Sequence, residues 1–227
     1  MSDLRDLIVR WQRGWAVARA LPAAEDVGGA LRVRCMQPGR DIEYVALDAG
    51  DDLSSLTRLA ELVAGEDSPT WLTVPTNDSA RAASALVAAG LIVLKHSELL
   101  MTADLRGHPQ NLPVAPYRLL TQVDSHGGDS VVTATARHES GEIGARGTMG
   151  LAGTDAVADR IETTPAHRRK GLASAVMGAL AASAIEEGAE RGILIASEDG
   201  QRLYLTLGWQ PVVDVLIATT PGNTYPS

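Results

Sequence analysis

Three consecutive cations, Arg168, Arg169 and Lys170, precede a glycine at position 171 and an alanine-rich helical segment. The start of a helix leaves backbone N–H groups without partners and has a partial positive charge, so it favours an anion. Gly171 lets phosphate oxygens approach the backbone closely, because it has no side chain. These residues predict that a phosphate-bearing ligand binds at a strand–turn–helix unit spanning 157–187.

The turn does not match either of the two commonest phosphate-binding motifs, since the sequence contains neither GxxxxGK[ST] nor GxGxxG followed by a suitably placed acidic residue. It has instead Arg168, Gly171 and Ala173 in the spacing Arg-x-x-Gly-x-Ala. This spacing resembles the [QR]-x-x-G-x-[GA] turn that binds the pyrophosphate of acetyl-CoA in the GCN5-related N-acetyltransferase (GNAT) superfamily. By itself, the pattern is equally compatible with a basic helix start on a soluble protein.

A second motif follows in the family's order. The segment Leu203–Trp209 resembles the LYxxLGF helix end of GNAT proteins, with Trp in place of Phe. The predicted succession is strand, pyrophosphate turn, helix, strand, tyrosine-bearing helix and final strand. Together the motifs are specific, and the chain resembles a GNAT protein of the actinobacterial type. The resemblance implies an α/β (α+β) fold with a mixed, mostly antiparallel sheet flanked by helices.

The composition limits the remaining function classes. The net charge of −8 disfavours nucleic-acid binding, because phosphate contact requires a basic face. No apolar run approaches the length of a membrane span, and the N-terminus does not have the layout of a signal peptide. The five histidines have no metal-ligand spacing, so we expect no metal site. The one cysteine, Cys35, excludes an internal disulfide and fits a reducing cytoplasm, and we interpret it as a buried apolar residue.

Hydrophobic periodicity predicts the same alternation of elements in the first part of the chain. The predicted elements are a helix over 2–20, strands over 31–37 and 41–47, a helix over 51–64, a strand over 71–74, a helix over 78–89 and a strand over 91–102. The last three follow the order of the elements around Tyr204. We therefore hypothesise two GNAT-like halves, of which only the second binds the cofactor. The alternative is that any α/β half has this alternation.

The proline-rich segment 106–116 is the best linker candidate. The predicted division is a degenerate GNAT-like domain over 1–105, this linker, and an acetyl-CoA-binding GNAT domain over 117–227. GNAT proteins usually have helices between the first two strands, which form the wall of the acceptor pocket, but only about six residues are available here. Either the acceptor site is open or the N-terminal half supplies its wall, and we favour the second.

The resemblance implies direct transfer of an acetyl group from acetyl-CoA to an amine. An amine attacks only when neutral, so a carboxylate or a water relay must take its proton. A backbone N–H of the strand at 157–164 would stabilise the oxyanion. Tyr204 lies at the position of the family's tyrosine, which often protonates the departing thiolate; the alternative is that it only packs or bonds the cofactor sulfur.

Two carboxylates on the strand before the turn are candidates for the base. Regular alternation places Val157, Asp159, Ile161 and Thr163 on one face, and Glu162 on the other unless the strand has a bulge. We therefore prefer Asp159 and place Glu162 second. For each, an ion pair with a neighbouring arginine is an equally good explanation.

The cofactor contacts implied by the resemblance are mostly with main-chain atoms. The pantetheine arm would bond like an added strand, and the pyrophosphate would take backbone N–H groups of the turn. The implied cofactor-binding residues are Ile161, Thr163, Arg168, Arg169, Lys170, Gly171, Leu172, Ala173, Ser174, Ser197 and Tyr204. Ser197 stands where many members have Asn, so its contact is the least secure.

The expected function is that of a cytoplasmic, acetyl-CoA-dependent N-acetyltransferase acting on a small-molecule amine or a protein amino group, with no nucleic-acid or membrane partner. Many relatives pair through sheet edges, so a homodimer is an expectation of the resemblance. Two alternatives remain. One is a non-catalytic acyl-CoA-binding or regulatory module, and the other is an acyltransferase that uses another acyl-CoA.

Overall fold

The computed structural model describes residues 4–50 and 52–224. Within them the chain forms five α-helices: α1 (Leu4–Arg19), α2 (Ser55–Ala64), α3 (Ser79–Ala88), α4 (Leu172–Glu186) and α5 (Glu198–Thr206). The first six strands are β1 (Glu25–Asp26), β2 (Ala30–Gln37), β3 (Arg40–Ala46), β4 (Thr70–Thr76), β5 (Ile92–Asp104) and β6 (Tyr117–His126). The other five are β7 (Asp129–His138), β8 (Ile143–Ala152), β9 (Asp155–Thr163), β10 (Arg191–Ala196) and β11 (Gln210–Thr219).

The strands form one mixed sheet in the order β1-β2-β3-β4-β11-β5-β10-β9-β8-β7-β6. Only β3–β4 and β9–β10 pair in parallel among the described residues, and every other pair is antiparallel. The predicted mixed, mostly antiparallel sheet flanked by helices is therefore confirmed.

The sheet consists of two similar halves that exchange their last strands. In the first, β3, α2, β4, α3 and β5 follow one another, and in the second, β9, α4, β10, α5 and β11 do so in the same order. However, β5 pairs with β10 of the second half, while β11 pairs with β4 of the first. The repeated order agrees with the hypothesis of two GNAT-like halves. The division into 1–105, 106–116 and 117–227 stays a prediction, since the two halves do not form separate sheets.

The helices divide unequally between the two faces of the sheet. One face packs against α1 alone, through side chains such as Trp11 and Trp15 on the helix and Val157 and Ile193 on the strands. The opposite face packs against α2 and α3 in the first half and against α4 in the second. Because successive strand residues alternate faces, Ile193 contacts the α1 core while Leu194 contacts the α4 core. Both faces of the central strands are therefore buried.

Most of the predicted elements agree with the structure within about two residues. The predicted first helix began at residue 2 and the second at Asp51; residues 2–3 and Asp51 lie outside the described residues. The predicted start of the second helix is wrong, because residues 52–54 are not helical and α2 begins at Ser55. The third helix begins with Asp78 as N-cap, whose side chain accepts a hydrogen bond from the N–H of Arg81 at 3.1 Å. As predicted, a short turn rather than a helix joins β6 to β7.

A close approach of two backbones fixes α1 on the sheet. A Cβ atom added to Gly150 of β8 would lie 2.1 Å from the carbonyl oxygen of Gly14 and 2.5 Å from the backbone nitrogen of Ala18. One added to Gly14 would lie 2.4 Å from the Val157 side chain. Glycine in a strand allows another backbone to approach this closely, and the partner here is the N-terminal helix.

Candidate active site

A cleft opens where the parallel strands β9 and β10 separate. They pair only from Asp155–Val157 to Arg191–Ile193. Beyond this point β9 stays paired with β8, and β10 stays paired with β5. The edge of β9 that faces the cleft therefore presents backbone donors and acceptors to an extended ligand. The predicted cofactor residues Ile161 and Thr163 both line this cleft.

The predicted pyrophosphate turn closes one end of the cleft, which has a volume of about 1060 Å³. Gly171 is the N-cap of α4 and has φ +73°, a left-handed conformation that favours glycine. The first hydrogen bond of the helix runs from the Ala175 N–H to the Gly171 carbonyl. The N–H groups of the first turn are therefore available to an anion. The predicted residues of the turn that line the cleft are Arg168, Arg169, Gly171, Leu172, Ala173 and Ser174.

Lys170 does not line the cleft, in contrast to its neighbours. Its ammonium group donates a hydrogen bond to the Tyr117 hydroxyl at 2.9 Å and lies 5.4 Å from the centre of that ring. The prediction that the Lys170 side chain supplies charge to the pyrophosphate stays a prediction, while in this structure the side chain bonds Tyr117. The aromatic hydroxyl at the start of β6 holds it elsewhere.

Tyr204 lies on α5 at the inner end of the cleft and is only 8 % exposed. Its ring meets that of Trp209 at 6.0 Å, so both aromatic residues of the second motif are in contact. Burial raises the pKa of Tyr204 to about 12, and the negative charge of Asp159 adds to the shift. The hydroxyl group therefore keeps its proton at physiological pH.

A second cavity of about 400 Å³ lies on the α1 face of the sheet and adjoins the cleft. The two cavities share Ile161, Glu162, Ser197 and Tyr204. The first half of the chain supplies much of the second cavity's lining. Those residues are Trp11, Trp15, Arg19, Arg40, Glu43, Trp71, Thr73 and Glu98. A molecule in the cavity and one in the cleft would therefore meet beside Tyr204.

Strand β9 has a bulge between the two candidate bases. Asp159 is opposite Thr148 of β8, and Glu162 is opposite Arg146, so two residues of β9 face one residue of β8. Arg160, within the bulge, has φ +53°. Since Thr148 and Arg146 share a face of β8, Asp159 and Glu162 share a face of β9.

The predicted alternation along β9 is consequently wrong beyond the bulge. Val157 packs against α1, whereas Ile161 packs against the α4 side of the sheet. Glu162, expected on the opposite face from Asp159 unless a bulge occurred, lines the second cavity together with it. The physical reason is the extra residue, which reverses the side-chain pattern.

The two carboxylates have different partners. Asp159 accepts two hydrogen bonds from Arg19 of α1, from Nε at 2.7 Å and from Nη2 at 2.8 Å, and its side chain is only 11 % exposed. Glu162 accepts hydrogen bonds from Arg146 at 2.9 and 3.1 Å, and both side chains are more than half exposed. An exposed pair of this kind contributes little stability and opens readily, whereas a partly buried bidentate pair holds its geometry.

Comparison with known proteins agrees with the resemblance found in the sequence. Residues 109–209 match the model of the acetyltransferase (GNAT) family. This segment of the C-terminal half is therefore similar to a GNAT acetyltransferase domain. The comparison with functionally curated proteins found no match to this chain.

Three solved structures resemble the entire molecule. A GCN5-related N-acetyltransferase from Kribbella flavida, an actinobacterium, superposes with a TM-score of 0.71 at 17 % identity over 98 % of this chain and 97 % of that one. A tandem GNAT protein of the clavulanic acid biosynthesis pathway has a TM-score of 0.57 at 14 % identity, with coverages of 89 % and 82 %. A GNAT-family protein from Novosphingobium aromaticivorans has a TM-score of 0.57 at 16 % identity, with coverages of 94 % and 96 %. These identities indicate a shared fold, and the resemblance found in the sequence is confirmed.

The loop after β3, which corresponds in the first half to the turn after β9, differs from that turn chemically. The loop after β3 contains Asp48 and Asp52 where the GNAT domain has its cations, and carboxylates repel phosphate. Gly50 in the same loop packs against α1, since an added Cβ would lie 2.4 Å from the Leu4 side chain. Asn77 closes it further by donating to the Gly50 carbonyl at 3.0 Å. These features favour a cofactor site in the GNAT domain alone.

Sequence reasoning missed Arg19 and Gly200. Nothing local to Arg19 in the sequence indicates that it meets Asp159, about 140 residues away. Gly200 packs against Tyr204. A Cβ atom added to Gly200 would lie 2.9 Å from Tyr204 Cε2 and 3.4 Å from Ser197 Oγ. Its position four residues before Tyr204 on one helix face was the available signal.

Three further findings concern residue classes considered above. Cys35 is buried, as predicted, and burial raises the pKa of its thiol to about 11. Within residues 4–50 and 52–224, no three His, Cys, Asp or Glu side chains lie together in a group that could bind a metal ion. In the same part of the chain no helix is long and apolar enough to cross a membrane.

Proposed function

We propose that this protein transfers an acetyl group from acetyl-CoA to a primary amine by direct attack. The observation that supports this most strongly is the position of Tyr204, a buried and protonated phenol between the GNAT cleft and a second cavity. Direct transfer requires both substrates to be present at once, with their reacting atoms in contact. Two cavities that adjoin at one proton donor satisfy this requirement.

The cleft has the features that acetyl-CoA needs. The open edge of β9 would bond the pantetheine arm as an added strand, and the first turn of α4 would accept the pyrophosphate. Arg168 and Arg169 line the cleft and would add charge-assisted hydrogen bonds, while Lys170 would contribute only its backbone. Ser197 lines the cleft, and its side chain makes no capping bond at α5, so its hydroxyl can bond the pantetheine.

The chain's own residues would handle the protons. Tyr204 would donate its proton to the departing thiolate, a role for which a neutral phenol is required. We assign the general base to Glu162, directly or through a water, because its partner Arg146 is exposed and easily displaced. Asp159, our first choice from the sequence, would instead hold Arg19 at the cavity wall, since both its oxygens already accept hydrogen bonds from that residue.

The second cavity would receive the acceptor. Its volume of about 400 Å³ fits a small amine or the side chain of a protein lysine. Its lining from α1, β3, β4 and β5 gives the first half of the chain a function, as the wall of the acceptor pocket. A cytoplasmic location belongs to the same proposal, because the lone buried cysteine fits a reducing compartment. Pairing of two copies stays a prediction.

The decisive test is calorimetric titration with acetyl-CoA, followed by measurement of free CoA thiol released in the presence of a panel of amines. A Gly171→Trp variant should lose binding, because a bulky side chain would be forced into a left-handed conformation in the mouth of the phosphate turn. Binding without thiol release for any amine would favour the non-catalytic module. Release that is faster with a longer acyl-CoA would favour the other acyltransferase. The absence of any binding to the unmodified protein would refute all three.

A further inference from the structure

The hydroxyl of Tyr117 lies directly behind the phosphate turn. It is 2.9 Å from the ammonium nitrogen of Lys170 and 2.7 Å from Nδ1 of His167. Tyr117 and His167 are both more than nine-tenths buried. Nothing in the family motif accounts for these two bonds, which join the first strand of the GNAT domain to the turn.

The directions of the hydrogen bonds follow from the donors available. A lysine ammonium can only donate, so the Tyr117 oxygen accepts from Lys170. The direction of the bond between Tyr117 and His167 Nδ1 depends on the tautomer of His167, and we assign the proton of this bond to Tyr117. His167 therefore has its proton on Nε2, which lies 3.7 Å from a carboxylate oxygen of Glu142. Lys170, Tyr117 and His167 form a relay of two hydrogen bonds, and the Glu142 oxygen lies beyond hydrogen-bond distance of its end.

This relay holds the turn at two points, one on each side of Arg168 and Arg169. Both arginines line the cofactor cleft, whereas Lys170 is turned away from it. Arg169 has φ +64°, a conformation that costs free energy for any residue but glycine and persists only where the surroundings fix it. Two bonds to one buried hydroxyl fix the residues that flank it.

We propose that Tyr117 is a positioning residue that holds the phosphate turn in its anion-binding conformation without touching the cofactor. The ligand affected is the pyrophosphate of an acyl-CoA, so the inference rests on the proposed function. Removing the hydroxyl would free Lys170 and His167 together. Arg169 could then leave its left-handed conformation, and the backbone N–H groups of the following turn would lose their alignment.

The test is Tyr117→Phe, which removes one oxygen and keeps the ring. The ring should stay in place because it packs at Gly144, where an added Cβ would lie 2.9 Å from Tyr117 Cε1. We expect the Kd for acetyl-CoA, measured by calorimetry, to rise about ten-fold, the loss typical of a hydrogen bond to a charged group. In the release assay the KM for acetyl-CoA should rise similarly, while kcat at saturation should change less than two-fold.

Tyr44→Phe is a matched control, because Tyr44 is another buried tyrosine whose hydroxyl donates to Glu66 at 2.6 Å, far along the sheet in the first half. It should leave the Kd for acetyl-CoA unchanged. A purely structural role for Tyr117 would instead give both variants the same small effect on binding.

A double-mutant cycle with Lys170→Met separates positioning from direct contact. If Lys170 acts through Tyr117, the effects of Tyr117→Phe and Lys170→Met on the Kd will be strongly non-additive. Additive effects would mean that Lys170 reaches the pyrophosphate itself, and would overturn the proposal.

The imidazole ¹⁵N shifts of His167 give a readout that needs no cofactor. They should report the Nε2–H tautomer in the unmodified protein and a mixture of tautomers in Tyr117→Phe. Unchanged shifts, or unchanged acetyl-CoA binding in that variant, would refute the positioning role alone. No binding to the unmodified protein would refute the proposed function, and the inference with it.

Discussion

The contact between Gly14 of α1 and Gly150 of β8 makes a sharp prediction about the second cavity. In Gly150→Ala the new Cβ would lie 2.1 Å from the Gly14 carbonyl oxygen, and an ordinary contact begins near 3.4 Å. The atoms it meets belong to the backbone and cannot rotate away. The helix and the strand must therefore separate by about 1.3 Å, the difference between these distances.

Displacement of α1 would change the cavity and leave the cleft unchanged. Trp15 and Arg19 would move with the helix. The displacement would disturb the bonds of 2.7 and 2.8 Å that Arg19 donates to Asp159. No residue of α1 lines the described cleft. A misplacement of about 1 Å at a reacting site can cost about 100-fold in rate, so we expect kcat/KM for the amine to fall by roughly that factor. The Kd for acetyl-CoA should not change.

Steady-state release of CoA thiol with the amine varied, together with calorimetry for acetyl-CoA, measures both quantities. The strain should also lower the free energy of unfolding by about 1–3 kcal/mol, or a Tm decrease of roughly 2–12 °C. Gly107→Ala is the matched control, because an added Cβ there has no neighbour within 4 Å. If Gly150→Ala folds with a lower Tm but keeps kcat/KM for the amine, the helix is not a wall of the acceptor site.

Three further predictions concern the proton-transfer groups. Tyr204→Phe should lower kcat about 100-fold while sparing acetyl-CoA binding. Because the raised pKa of Tyr204 is about 12, the unmodified protein should show no loss of rate from this group between pH 8 and 10. The stability that Tyr204 contributes to the fold should be complete below pH about 10 and should be lost as the pH rises through about 12. Glu162→Gln should reduce kcat/KM for the amine at pH 7 by 100-fold or more, and the value should recover at high pH, where the amine is already neutral. Asp159→Asn should keep the shape of the pH profile of the unmodified protein. The opposite result would restore Asp159 as the base. Gly200→Ala should displace the Tyr204 ring, since the added Cβ would lie 2.9 Å from it. The kcat should fall about ten-fold without a matching change in the Kd for acetyl-CoA. An unchanged kcat would mean that the position of the ring is not critical.

The residues of the turn that line the cleft could be identified from the sequence because their signals are local. Arg168 to Ser174 form one continuous turn and helix start, and their backbone conformation depends on a few adjacent residues, including a glycine that can adopt φ +73°. Tyr204 was identified from a motif within a single helix. The order of strands and helices also followed from hydrophobic periodicity, since each element buries one face.

The directions of several side chains around the site could not be predicted in the same way. Regular alternation gave the wrong face for Ile161 and Thr163, because one extra residue at Arg160 reverses the pattern and a bulge has no firm sequence signal. Lys170 was assigned to the pyrophosphate from its neighbours, but a hydroxyl from β6 binds it. Both outcomes depend on atoms contributed by another strand.

The sequence by itself indicated the resemblance to the GNAT family, the order of the elements and the residues of the turn before α4. All three depend on short-range backbone geometry and on the burial of one face per element. Only the tertiary structure decided where α1 lies and how β5 and β11 are placed between the two halves of the sheet. It also decided that Asp159 has a partly buried arginine partner and Glu162 an exposed one. These features depend on contacts between residues more than 100 positions apart, such as Arg19 with Asp159. Such contacts are selected by the packing of the whole sheet, and no local pattern specifies them.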